Sequence, residues 1–155
     1  MKTIIGLFLL LFVIVLGTAS YMNGRGFSLT PKGSTVTIGK TTFPVEVEKT
    51  EAAREKGLSG RSSLAAGHGM LFLFDTPNRY AFWMKDMKFP IDIIFINGSR
   101  VVSVFPNVPA PVASVPDSSL PVYVPTSAAD KALELPAGTA KKDNIKIGDT
   151  VTTSL

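Results

Sequence analysis

The fold is decided by three neighbouring stretches: Gly69-Met70-Leu71-Phe72-Leu73-Phe74, Phe82-Trp83-Met84-Lys85-Asp86 and Pro90-Ile91-Asp92-Ile93-Ile94-Phe95-Ile96. In the first and the third, odd and even positions are both apolar, which is typical of central strands that are covered on both faces of a sheet. The second contains the chain's only Trp. A charged residue inside such a strand needs a partner, because an unpaired charge is costly to bury.

Shorter strands are predicted on both sides of this region. They cover residues 35–38, 43–47 and 101–104, and two closing strands cover 132–135 and 150–152. Asn97-Gly98 is typical of a tight hairpin turn, and residues 50–57 predict one short helix with Thr50 as its N-cap. Residues 106–125 contain six prolines, so they predict a long loop rather than a central strand. Together these patterns predict a single all-β domain over residues 35–155, a β-sandwich or a partly closed barrel with one or two short helices.

The composition excludes several classes of function. The 155 residues include no cysteine and one histidine, which excludes thiol catalysis, disulfides, Cys-ligated zinc and a His-rich metal site. We therefore expect no metal and no cofactor. The net charge is +4 and the Lys and Arg residues are scattered, so we expect no nucleic-acid partner. We expect the domain to be monomeric.

Residues 1–22 predict that the domain is located outside the cytoplasm. Lys2 precedes an apolar run, the layout of a signal sequence. The uncharged stretch is long enough to span a bilayer as an anchor, whereas its small residues also offer cleavage after Ala19. The sequence thus predicts either a membrane-anchored form or a secreted or periplasmic one, with the domain outside the cytoplasm in both. Residues 23–34 contain Gly and Pro and predict a flexible tether.

Asp92 is the first candidate site residue. Strand alternation places its carboxylate on an apolar face, and its candidate partners are Arg54, Arg61 and Lys85. In a structural interpretation, Asp92 forms a buried ion pair or binds a turn and locks the sheet. In a functional interpretation, it orients a ligand or transfers a proton in a pocket.

Trp83 also has two interpretations. Aromatic residues along a strand most often belong to the core. An exposed Trp beside Lys85 would instead stack on a sugar ring or a peptide. The candidate ligand-binding residues are therefore Arg54, Arg61, Trp83, Lys85 and Asp92, and no residue is assigned as catalytic.

The same region carries a resemblance to a known family. The residues that carry the resemblance are, in order, Glu46, Arg54, Gly57-Leu58, Arg61, Gly69-Met70-Leu71-Phe72, Phe82-Trp83-Met84-Lys85, Pro90-Ile91-Asp92, Phe95-Ile96, Leu133-Glu134-Leu135, Gly138 and Gly148-Asp149. From about residue 43 to 151 the chain resembles the domain of unknown function 192 family of bacteria and archaea. The resemblance implies a compact β-sandwich-like fold and, commonly, a leader or anchor. It implies no reaction, because the family's biochemical role is not established.

Two classes of function stay open. The preferred one is a non-catalytic module of the cell envelope that binds a small molecule, a glycan or a protein partner through the five candidate residues. The other is an envelope hydrolase that uses Asp92 with Glu134 or Asp86 as an acid/base pair. That chemistry requires two carboxylates roughly 5–10 Å apart across a cleft. A purely structural or chaperone-like role is a third hypothesis, for which the sequence has no specific motif.

Overall fold

The computed structural model describes residues 33–112 and 115–155. The predicted anchor (1–22) and the predicted tether up to residue 32 lie outside these residues. Within the described ranges, no helix combines the length and the apolar composition that crossing a bilayer requires.

The described part of the chain is mainly β, as the sequence predicts. Its strands are β1 Thr35–Ile38, β2 Thr41–Glu48, β3 Gly69–Asn78, β4 Phe82–Trp83, β5 Ile91–Asn97, β6 Arg100–Val108, β7 Val122–Tyr123, β8 Ala129–Pro136 and β9 Val151–Ser154. The helical elements are short: α1 Glu51–Lys56, a 3-10 turn Asp117–Ser119 and α2 Thr139–Lys142.

Seven of the strands form one sheet in the order β6-β5-β8-β3-β2-β1-β9. Neighbouring strands are antiparallel except β2 and β3, which are parallel. We expected residues 132–135 to form a closing strand, but β8 lies in the centre of the sheet, between β5 and β3. Alternation and turn signals locate a strand in the sequence without identifying the strands that will pair with it.

The sheet curls into a half-barrel whose first and last strands meet at one end. The Val101 N–H donates to the Asp149 carbonyl at 3.0 Å, and the Gly148 N–H donates to the Val101 carbonyl at 2.9 Å. The Val151 N–H donates to the Ser99 carbonyl at 2.9 Å. These bonds join the start of β6 to the start of β9. The prediction of an all-β fold with a partly closed barrel is confirmed.

Apolar residues cover both faces of the sheet. The layer inside the curl includes Val36, Phe43, Leu71, Ile94, Ile96, Leu133 and Val151. The outer layer includes Leu58, Met70, Phe72, Met84, Ile91, Ile93 and Phe95. Alternate residues of β5 therefore enter different layers, and every residue from Ile91 to Ile96 is buried, as the pattern predicts.

The local signals around α1 are also confirmed. The Thr50 hydroxyl accepts a hydrogen bond from the Ala53 N–H at 3.2 Å, which caps the helix. Gly57 ends the helix with a φ of 44°, a conformation that favours glycine. The Pro-rich segment begins inside β6, which is the first strand in the sheet order, where a missing backbone donor is tolerated.

Strands β4 and β7 form a separate two-stranded sheet on the outer layer. Phe82 packs inward, with its ring edge-to-face against Phe72 at 5.3 Å and Phe95 at 5.2 Å. Trp83 is the next residue along β4, so its side chain points the other way and is 49% exposed. Of its two interpretations, the core one is wrong for Trp83.

Candidate functional site

Asp92 is fully buried, and its carboxylate is bound by backbone amides. Oδ1 accepts from the N–H groups of Asn107 at 2.7 Å and Gly138 at 3.1 Å, and Oδ2 accepts from the Ala140 N–H at 2.6 Å. Arg54, Arg61 and Lys85, its candidate partners, bind elsewhere. The three bonds connect β5 to β6 and to the first turn of α2, so the geometry is that of a turn-binding carboxylate.

Arg61 makes a two-pronged ion pair with Glu46. Its Nη1 lies 2.6 Å from Glu46 Oε1 and its Nη2 lies 2.7 Å from Glu46 Oε2. The hydrogen bond from Arg61 lowers the pKa of Glu46. The pair is largely exposed, so it adds little to stability, but it connects the segment after α1 to β2.

Arg54 fixes α1 against β3. Its Nη1 donates to the carbonyls of Lys49 and Leu73, the latter at 2.9 Å. Its guanidinium carbon lies 5.3 Å from the centroid of the Phe74 ring, within the range of a cation–π contact.

Trp83 and Lys85 lie side by side at the surface. The Lys85 ammonium is 5.5 Å from the centroid of the Trp83 ring and 2.6 Å from Asp117 Oδ2. The hydrogen bond to Asp117 raises the pKa of Lys85. These contacts join the turn after β4 to the 3-10 turn in the Pro-rich segment.

A cavity of about 210 Å³ lies on the outer layer, beneath the end of α1. We call it the aromatic cavity, because five aromatic side chains line it: Phe72, Phe74, Tyr80, Phe82 and Trp83. Leu58 and Met87 add apolar surface, and Arg54, Glu55 and Lys56 form its charged part at α1. A neighbouring depression also contains Trp83 and extends to Lys85 and Asp86.

Of the predicted site residues, Arg54 and Trp83 therefore line the same cavity, and Lys85 lies beside it. Arg61 and Asp92 are in other parts of the fold.

Glu134 is a buried carboxylate of the aromatic cavity that was not among the five predicted binding residues. It lies in β8 opposite Met70 of β3 and Ile93 of β5, and only 6% of it is exposed. Its buried Oε2 atom has no hydrogen-bond partner among the described residues. Loss of hydration on burial raises the pKa of Glu134 to about 8, so the group carries a proton at neutral pH. The signal that could have identified it is the carboxylate in the apolar run Leu133-Glu134-Leu135.

Glu134 and Asp92 lie on opposite faces of the sheet. Asp92 is opposite Leu135, and Ile93 is opposite Glu134. Because residues directly opposite each other in antiparallel strands share a face, Glu134 shares the outer face with Ile93, whereas Asp92 is on the inner one. The sheet itself therefore separates the two carboxylates.

The cavity can bind a ligand in two ways. The ring faces and the apolar side chains bind apolar or cationic groups. Glu134 can donate one hydrogen bond when protonated and only accept when ionised. Within residues 33–112 and 115–155, no three His, Asp or Glu side chains are grouped so that they could hold a metal ion.

Comparisons with known proteins agree with the fold. The model of the family DUF192, described as "Uncharacterized ACR", matches residues 34–153. A crystal structure of a protein of unknown function from Novosphingobium aromaticivorans is 31% identical, with a TM-score of 0.67, over 76% of this chain and 83% of that one. A proposed transcription regulator from Sinorhizobium meliloti is 28% identical, with a TM-score of 0.67, over 77% of this chain and 92% of that one. No curated protein matches the chain.

Proposed function

The chain belongs to the DUF192 family of uncharacterised proteins, and on that premise we propose that its domain is a non-catalytic module that binds a small molecule in the aromatic cavity. The observation that carries the proposal is Glu134, whose buried Oε2 has no partner among the described residues at a wall of this cavity. Buried polar atoms are nearly always hydrogen-bonded in proteins, so an orphaned one beside an empty space is a reason to expect a ligand. An apolar pocket with few polar groups is also the usual form of a small-molecule site.

The position of Trp83 supports this proposal. It lines the cavity and is half exposed, so a ligand that enters would contact its ring. The ion pair between Lys85 and Asp117 holds the adjacent turn in place. A glycan or an envelope peptide could extend from the cavity over this surface, where the Trp ring and the Lys85 ammonium offer stacking and hydrogen bonding.

The hydrolase alternative has less support. It requires a second carboxylate near Glu134 or Asp92 across a cleft. Asp92 uses both oxygens to bind backbone amides and lies on the other face of the sheet from Glu134. Glu134 has a pKa suited to a general acid, whereas Glu55, the second carboxylate of the cavity lining, is a solvent-exposed residue of α1.

The place of action is proposed from the sequence. The charge and apolar pattern of residues 1–22 supports a domain outside the cytoplasm, either anchored or released after cleavage. The binding module would then meet solutes or partners of the cell envelope. Arg61, Lys85 and Lys131 pair with carboxylates, Arg54 binds backbone carbonyls, and the basic residues are scattered along the sequence, so we propose no nucleic-acid role for this chain.

Blocking the cavity mouth tests the proposal. Ala81 lines the cavity at an exposed loop position, so Ala81→Leu places bulk in the opening without entering the core. Ala65, an exposed loop residue away from the cavity, supplies the matched control Ala65→Leu. Fragments from aromatic, aliphatic, amine, sugar and peptide classes would be screened by protein-observed NMR against all three proteins.

We expect one class to shift the signals of the cavity residues in the wild type and in Ala65→Leu, and to lose this effect in Ala81→Leu. A ligand at 100 times its dissociation constant should also stabilise the fold by about 2.7 kcal/mol. If no class shifts the cavity signals, or if Ala81→Leu binds as well as the control, the proposed function is wrong.

A further inference from the structure

The rings around the aromatic cavity already attract cations of the protein itself. The Arg54 guanidinium carbon lies 5.3 Å from the centroid of Phe74, and the Lys85 ammonium lies 5.5 Å from that of Trp83. A ring face carries partial negative charge, so it favours a positive group within about 6 Å. Phe74 also stacks on the Tyr80 ring at 3.7 Å, so its ring is already occupied, and of these two rings it is the half-exposed Trp83 that the cavity offers to a ligand.

Glu134 adds the potential for a full negative charge. Its Oε2 atom is buried and has no hydrogen-bond partner in the described residues. A carboxylate in an apolar site is costly to leave without a counter-charge. The residues opposite Glu134 in the neighbouring strands, Met70 and Ile93, are apolar and cannot supply one.

We propose that the aromatic cavity takes a small organic cation of the alkylammonium class, held between the ring faces and the Glu134 carboxylate. This inference rests on the proposed function and specifies the ligand's charge. Binding breaks the O–H bond of Glu134 and releases its proton to solvent, and the ligand's positive charge then faces the carboxylate. No covalent bond to the ligand forms.

The size of the cavity agrees with such a group. Its volume of about 210 Å³ exceeds the ~150 Å³ of an apolar cavity that admits benzene. A trimethylammonium or similar head is compact and weakly hydrated, so it leaves water at a lower cost than a bare ammonium ion. A short substituent could extend toward Trp83 and the exposed mouth.

The other charged groups of the cavity lining lower its affinity for a cation, but a cation is still favoured over an anion. Arg54, Glu55 and Lys56 line the cavity from α1, and the Tyr80 O–H donates a hydrogen bond to the Thr76 carbonyl. Glu55 and Lys56 are exposed, so solvent screens both. Arg54 is held by two backbone carbonyls and by Phe74. An anionic ligand would meet the negative ring faces, and the ionised Glu134 carboxylate would repel it.

The ionisation of Glu134 makes binding depend on pH. Its pKa of about 8 means that most molecules must lose a proton before a cation can pair with the carboxylate. The apparent affinity therefore rises with pH and levels off above the pKa, by about 50-fold between pH 6 and pH 8 for one linked proton. The chain's single histidine, His68, lies in an exposed loop outside the cavity lining, so it does not account for such a change.

Two probes of the same shape test the charge of the ligand. Choline carries a trimethylammonium head, and 3,3-dimethylbutan-1-ol is its neutral counterpart with carbon in place of nitrogen. Titration calorimetry on the full chain at pH 6 and pH 8 would compare them, in buffers of different ionisation enthalpy so that proton release is counted. Glu134→Gln removes the ionisable group at constant shape, and Glu51→Gln removes an exposed carboxylate of α1 that lies outside the cavity lining.

We expect choline to bind more tightly than the alcohol, to gain about 50-fold in affinity from pH 6 to pH 8 and to release about one proton at pH 7. Glu134→Gln should lose choline binding and keep binding of the alcohol, whereas Glu51→Gln should bind both probes as the wild type does. If the alcohol binds as tightly as choline, or if the affinity for choline is the same at pH 6 and pH 8, the cation inference is overturned while the proposed function survives. If both probes fail and the fragment screen is also negative, the proposed function fails with it.

Discussion

Replacing Glu134 by Gln should make the protein more stable at neutral and alkaline pH. Burial raises the pKa of Glu134 from its ordinary value of 4.5 to about 8. A carboxyl whose pKa is raised on folding binds a proton more tightly in the native state than in the unfolded state. The native state therefore loses stability as the pH rises from the unfolded pKa to the native one, and the full loss is present above pH 8.

The size of the effect follows from the two pKa values. At about 1.4 kcal/mol per pKa unit, the ionisable group lowers the free energy of unfolding by less than about 1 kcal/mol at pH 5 and by about 3 kcal/mol at pH 7. Above pH 8.5 the loss is roughly 4–5 kcal/mol. Gln has nearly the same shape and does not titrate, so Glu134→Gln removes this cost. The stability gained over the wild type should grow with pH by these amounts.

Urea unfolding at pH 5, 7 and 8.5, followed by circular dichroism and by Trp fluorescence, measures the gain. The control is Glu55→Gln, an exposed carboxylate of the same cavity, whose difference from wild type should stay near zero at each pH. Parallel pH profiles for the wild type and Glu134→Gln would refute the reasoning. So would a variant that is less stable at every pH, because Glu134 would then make a stabilising contact.

Substitutions at three further residues test features of the fold by urea unfolding. Asp92→Asn weakens the hydrogen bonds to three backbone N–H groups and should cost about 2–4 kcal/mol of stability, and a loss below ~0.5 kcal/mol would contradict the turn-binding role. Gly69→Ala places a Cβ 2.9 Å from Leu135 Cδ2 and 3.0 Å from the Glu134 carbonyl, so overpacking should cost about 1–3 kcal/mol, and a neutral result would show that β3 and β8 can separate. Thr50→Ala removes the cap of α1 and should cost about 1 kcal/mol, whereas Thr50→Ser should restore most of it.

Asp92 shows how far strand alternation can be used. The pattern placed its carboxylate on a buried apolar face, and it is there. Its partners could not be predicted, because they are backbone amides of Asn107, Gly138 and Ala140, which come from distant parts of the chain. A search among basic side chains alone could not identify them.

Trp83 and Glu134 show why the aromatic cavity was only partly predictable. Trp83 was found from its residue type, but its exposure depends on a two-residue strand that pairs with β7 across the Pro-rich segment. Glu134 carries the same signal as Asp92, a carboxylate in an apolar strand. Its lack of a partner depends on β8 lying between β3 and β5, which no local pattern specifies.

The central position of β8 also determines the order in which the chain can fold. Strands β3 and β5 precede residue 98, but their facing edges can pair only when β8, at residues 129–136, is in place between them. Until then the chain can form the hairpin of β5 and β6 and the pairings of β1 to β3, as two separate pieces with bare edges. Such late, non-local pairing slows folding and leaves edges open to wrong partners. A chain that emerges from its N-terminus, from a ribosome or through a membrane, cannot complete this sheet until nearly its whole length is available.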